Sequence, residues 1–147
     1  MRFERLTKAH LDQVAAIYMR AFNAPPWNDQ WTVETATKRL SSMMSHEASY
    51  GLVAYEKEQL VGMILGYEEQ FYDGLKFEIK EFCTDPAVSG GGLGTQLLNE
   101  FEEHLKHKGI DEIVLLTCRA EDTQGYYTRR QYKEIQEMVL MGKKIQK

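Results

Sequence analysis

Hydrophobic and polar positions recur with two different periods along this chain, and the switches between them mark the elements. "RFERL", residues 2–6, reads as a short strand. Thr7 then suits an N-cap, and Leu11, Val14, Ala15, Ile17, Tyr18 and Phe22 fall on one face of a helix. "NAPPWNDQW" ends it, because Pro25 and Pro26 donate no backbone hydrogen bond and push the preceding residue out of helical geometry. A second helix, capped by Thr32, is predicted from Val33 to Met44. Alternating patterns follow in "YGLVAY", "QLVGMILGYEEQFY" and "LKFEIKEFCT", joined by the polar turn "EKEQ" and by "DG", which predicts antiparallel strands. Leu97, Leu98, Phe101 and Leu105 share one face of a helix that begins at Gly94 and is closed by Gly109. "DEIVLLTC" predicts a buried strand, "TQGYYTRRQY" a short helix, and "KEIQEMVLMGKKI" a closing strand pair or extended strand. From Phe77 to Cys118 the order strand, loop, helix, strand is a crossover unit, which requires a parallel pair. The predicted class is α+β: one domain over residues 1–147, with a mixed, mostly antiparallel sheet flanked by helices.

Composition narrows the partners. With 147 residues and 43% hydrophobic content the chain can bury one core, and no apolar run approaches the length of a membrane span. Net charge is −4, and no basic stripe with interleaved aromatics is present. Nucleic acid is therefore not expected, since neutralising phosphates dominates that affinity. "MRFERLTKAH" holds no apolar signal core, and Cys83 and Cys118 have no close spacing, so free thiols and a cytoplasmic location are expected. His10, His46, His104 and His107 are scattered, and the last two sit on a charged helix face, so no metal is expected.

The costliest stretch is "DPAVSGGGLGTQLL", residues 85–98, with glycines at 90, 91, 92 and 94 directly before a helix. Each glycine loses more backbone entropy on folding than any other residue. A helix start offers N–H groups without intrahelical acceptors and a partial positive charge, and glycines let an anion approach them. A Walker loop would need Gly-Lys-Ser/Thr, and "GLGTQ" has no lysine; a Rossmann fingerprint would need a third glycine where Thr95 stands.

"EFCTDPAVSGGGLGTQLLNEFEEHLKHKG" resembles the acetyl-CoA-binding motif of the GNAT superfamily of N-acetyltransferases: a strand, Asp-Pro, Gln/Arg-x-x-Gly-x-Gly/Ala, then a helix. Gly92-Leu93-Gly94 fits its centre, with Ser89 in the Gln/Arg position. "YYTRRQY" is similar to the family's Tyr-x-x-x-Gly-Phe, with Tyr127 at the tyrosine. The resemblance implies acetyl-CoA as co-substrate. Its pyrophosphate would lie on the amides of Ser89, Gly90, Gly91, Gly92, Leu93, Gly94 and Thr95, and its pantetheine along the backbone of Phe82, Cys83 and Thr84. It also implies Tyr127 as the acid that protonates the departing thiolate, which a phenol of ordinary pKa can do. A base must deprotonate the amine, and the strand before the loop carries Glu81 and Glu78. Strand alternation predicts that these two face opposite sides. The resemblance implies a glutamate base on this strand a few residues before the loop, which places Glu81 nearer the thioester. Cys83 is read as a small buried strand residue rather than a nucleophile.

Trp27, Asp29 and Trp31, with Glu68 and Tyr72, combine aromatics and carboxylates suited to an ammonium group. The expected reaction is direct acetyl transfer to a primary amine of a small cationic molecule, aminoglycoside- or polyamine-like. A protein or peptide amine and a non-catalytic acyl-CoA-binding module are the alternatives. The apolar "MVLMG" segment would suit pairing across a homodimer.

Overall fold

The computed structural model describes residues 1–88 and 90–146; Ser89, assigned above to the phosphate loop, lies outside the described residues. The chain divides into two compact units, residues 1–115 and 116–147.

The first unit follows the predicted order. Strand β1 (Arg2–Arg5) leads through a short turn at Lys8–His10 into α1 (Leu11–Phe22), and α2 (Val33–Met44) follows. Thr32 caps α2, accepting the Thr35 backbone N–H at 3.1 Å. Then come β2 (Ser49–Glu56), β3 (Gln59–Phe71), β4 (Gly74–Thr84), α3 (Leu93–His107) and β5 (Glu112–Leu115). The sheet runs β1-β2-β3-β4-β5, antiparallel except for the parallel β4–β5 pair that the α3 crossover imposes.

The two sheet faces bury different partners. On one, Val14, Ile17, Tyr18 and Ala21 of α1 and Ala36, Leu40 and Met43 of α2 cluster with Val53, Met63, Leu65 and Cys83. On the other, the Phe101 ring of α3 meets Phe77 of β4 edge-on at 5.3 Å, and Leu97 of α3 lies over Gly62 of β3. Burying side chains of this size contributes about 1.5–3 kcal/mol each.

The predicted termini of this unit need adjusting. β5 covers Glu112–Leu115 rather than residues 111–118; it is the last strand of the sheet among the described residues, and its side chains are half-buried or exposed.

The second unit contains α4 (Gln124–Thr128), shorter than the predicted helix. The closing strand is not formed: among the described residues, 133–146 hold no strand, and Met138, Val139, Leu140 and Met141 are exposed. An apolar sequence supplies side chains, but a strand also needs a partner edge for its backbone.

Candidate active site

The geometry of the site begins with one extra residue. β3 and β4 pair Glu78 with Tyr67 and Ile79 with Gly66, but the next β3 residue, Leu65, pairs with Glu81. Lys80 is thus left out of the ladder, as in a β-bulge. Tyr67 and Leu65 both face the α1/α2 core, so Glu78 and Glu81 opposite them share that face. The predicted opposition of Glu78 and Glu81 is therefore corrected: strict alternation holds only in an unbulged strand. Gly66 makes room for the register shift, since a Cβ there would stand 2.0 Å from the Glu78 carbonyl oxygen.

Beyond the bulge β4 also leaves β5. The parallel ladder ends at Ile79 and Leu115, while Phe82, Cys83 and Thr84 continue against Ile64, Met63 and Gly62 of β3.

Glu81 is only 7% exposed, yet it carries two donors. The Tyr18 hydroxyl of α1 donates to Oε1 at 3.1 Å, and Nε of Arg39 in α2 donates to the same oxygen at 2.7 Å. Oε2 takes neither donor. Burial pushes the Glu81 carboxyl above its ordinary range, against the opposing pull of Arg39 and Tyr18. Burial and the Glu81 charge push the Tyr18 phenol up, which keeps it protonated and donating. Glu78 lies 3.7 Å from the Lys80 ammonium. Cys83 is buried in the core and its thiol is pushed up chiefly by that burial, so it is held as a thiol.

The glycine segment starts from a second anchored carboxylate. Asp85, 1% exposed, takes the Arg20 guanidinium of α1 at 2.8 Å and the Ala87 backbone N–H at 3.0 Å. Arg20 first, through its hydrogen bond, holds the Asp85 carboxyl below its ordinary range. After Ser89, Gly90, Gly91 and Gly92 take φ of 103°, 68° and 75°, which side-chain-bearing residues rarely adopt. Among the described residues, and chain neighbours apart, no atom lies within 4 Å of where their Cβ atoms would stand. Leu93, whose amide opens the helix, buries its side chain, and Gly94 and Thr95 complete the first turn. This is an open turn of backbone ending on a helix start, suited to an anion.

Of the expected acceptor wall, one part gathers beside Glu81. Trp31 packs edge-on against Tyr18 at 5.0 Å, lies 5.7 Å below the Arg39 guanidinium carbon, and donates Nε1–H to Asp29 at 3.0 Å. Trp27 packs on Phe22 and is 40% exposed. Glu68 falls at the opposite alternation from Tyr67 and Leu65 and so faces away from this group. Tyr72 stands in the β3–β4 turn, 99% exposed.

In the second unit Tyr127 is half-buried, edge-on to Tyr126 at 5.2 Å and to Tyr132 at 5.5 Å. The Tyr126 ring carries the Arg130 guanidinium at 3.6 Å.

Sequence reading missed Tyr18, Arg39, Arg20 and Asp85 as site-building residues. Asp85 stood in the quoted Asp-Pro pair, and Tyr18 was a hydroxyl on an otherwise apolar helix face. Arg39 carried no local signal, because its partner lies 42 positions away.

Known proteins share this fold. The Acetyltransferase (GNAT) family model matches residues 11–132. An aminoglycoside acetyltransferase from an uncultured soil metagenomic sample, solved in complex with sisomicin, is 19% identical with a TM-score of 0.70, over 99% of this chain and 96% of that one. The ribosomal-protein-alanine N-acetyltransferase of Brucella melitensis biovar Abortus 2308 is 13% identical with a TM-score of 0.75, over 96% and 98%. A predicted acetyltransferase from Clostridium acetobutylicum, solved with acetyl-CoA, is 15% identical with a TM-score of 0.74, over 96% and 95%. At these identities the solved structures speak for the fold, and the family match covers most of the chain. The chain belongs to the GNAT acetyltransferase family, and its mixed sheet with flanking helices is that family's acyltransferase fold.

Proposed function

We propose that this acetyltransferase moves an acetyl group from acetyl-CoA directly to a primary amine of a small cationic molecule. The observation that carries the reading is Glu81: a buried carboxylate fixed through one oxygen, with the other taken by neither donor. Acetyl-CoA, when bound, supplies the acetyl group as an activated thioester. The left-handed glycines that lead into α3 support holding its pyrophosphate on the Gly90–Thr95 amides. The end of the β4–β5 ladder at Ile79 supports laying its pantetheine along Phe82, Cys83 and Thr84.

An alkylamine arrives mostly protonated at neutral pH, and only its neutral form attacks a thioester. Oε2 of Glu81 takes that proton, directly or through a water. The raised proton affinity of Glu81 brings it closer to the working pH than an exposed carboxylate would be. Tyr127 is the proposed acid for the departing thiolate, and Glu78 the second carboxylate on the same face. Trp31 and Asp29, with Trp27 at the edge, form the proposed wall for the rest of the amine.

The test is thiol release from acetyl-CoA against a panel of aminoglycosides, polyamines and peptides with free amines. Acceleration by the small cationic members supports the reading. Acceleration by peptides alone moves it to protein amines, and coenzyme A binding without acceleration by any member contradicts it.

A further inference from the structure

Resting on the reading of Glu81 as base, we propose that Arg39 is the positioning residue of that reaction: it holds Glu81 by Oε1 and thereby presents Oε2 to the amine. Three elements converge on one oxygen. α1 sends Tyr18 and α2 sends Arg39 to Oε1 of a β4 carboxylate, at 3.1 and 2.7 Å. Tyr18 is itself fixed, with rings of Phe22 at 4.8 Å and Trp31 at 5.0 Å against its own. A carboxylate with both donors on one oxygen cannot turn freely, and its second oxygen keeps its lone pairs for a proton.

Nε is the nitrogen used, and it lies in the rigid plane of the guanidinium, so Arg39 fixes a direction as well as a charge. The arginine side chain is 40% exposed, so it links the buried carboxylate to the open side of the site, beside the Trp31 ring. Charge compensation alone would need no such placement. The groups facing Glu81 are Tyr18 from α1, Arg39 from α2, and Lys80 and Cys83 from β4. Tyr67 of β3 and Glu78 border them. Arg39 is the one cation among them that is hydrogen-bonded to the carboxylate.

The test compares Arg39→Met and Arg39→Lys with the unaltered protein, each checked for folding by urea denaturation. Two readouts are followed against pH: the Glu81 side-chain resonance in protein carrying 13C-labelled glutamate, assigned by its loss in Glu81→Gln, and the rate with the best amine of the panel. In Arg39→Met the Glu81 titration moves up by about 1–3 pH units, the loss of a close opposite charge. The acid limb of the rate moves with it, and the plateau falls roughly 100-fold as the carboxylate loses its orientation. Arg39→Lys keeps the limb and recovers part of the plateau, because charge remains without the planar donor. The KM for acetyl-CoA stays within about twofold in both, since Arg39 is bonded to Glu81 and not to the glycine turn proposed to hold the coenzyme.

An unmoved Glu81 titration in folded Arg39→Met overturns the role of Arg39 and leaves the base reading standing. A titration that moves while the rate limb does not overturns Glu81 as base, and the proposal with it. Should Arg39→Met not fold, Arg39→Lys decides: a lowered plateau with an unmoved limb supports positioning, and an unchanged plateau overturns it.

Discussion

The two halves of β4 are built for different work. From Lys76 to Ile79 the strand pairs on both sides, with β3 and in parallel with β5, and Phe77 and Ile79 are buried, with Phe77 against α3. Past Lys80 it pairs within the sheet with β3, and Glu81 and Cys83 turn to the α1/α2 face. One residue of bulge turns Glu81 away from the face of Phe77 and Ile79, where unbroken alternation would leave it, to the face it shares with Glu78. The first half sits where hydrophobic burial can hold it. The second gives up a neighbouring strand and buries a charge, and two donors offset that cost.

Four substitutions separate these halves. Glu81→Gln keeps the size and can keep both donors, but it removes the base; turnover with the best amine should fall by about 10² to 10⁴ while acetyl-CoA binding by calorimetry is unchanged. Gly66→Ala strikes the bulge itself. Its Cβ would meet backbone at 2.0 Å, so urea denaturation should show a loss of about 1–3 kcal/mol, with turnover falling as Glu81 is displaced. Among the described residues a Cβ at Gly92 meets no neighbour within 4 Å, so the expected cost of Gly92→Ala comes from its φ of 75°. Its stability should fall by about 1–2 kcal/mol, and acetyl-CoA affinity should fall with it if the loop holds the pyrophosphate.

The smallest effect concerns pH. Asp85 has its pKa lowered in the folded protein, so it contributes stability above its unfolded pKa that is lost as pH falls through the folded value. Asp85→Asn should flatten the acid side of the stability profile measured by urea denaturation from about pH 5 downward, where unfolded carboxylates take up protons. An unchanged acid slope would remove the Arg20 anchor from the account.

The regular elements were legible wherever a local pattern sufficed. Thr32 and the apolar faces of α1 and α3 gave helices, the "DG" turn gave the β3–β4 hairpin, and the glycines marked the start of α3. The site was half legible. Glu81 was singled out through the family resemblance, and the neighbours that the fold brings to it were hidden. Tyr18 and Arg39 lie 63 and 42 positions from it, and only tertiary packing brings them together. The bulge was hidden too, because "KFEIKEF" alternates without a break and the extra residue is defined by β3. "EMVLMGKKI" shows the converse, a strand-like pattern for which no strand forms, since pairing depends on an edge elsewhere. Glu68 shows how alternation locates a face only once the register is known.

The most direct measurement is the pH dependence of turnover for the unaltered protein and for Glu81→Gln, with the best amine of the panel. If the buried half of β4 carries the base, the unaltered protein shows an acid limb above the ordinary carboxylate range, as burial of Glu81 dictates, and Glu81→Gln loses both that limb and most of the rate. The same limb and the same plateau in Glu81→Gln would contradict the account.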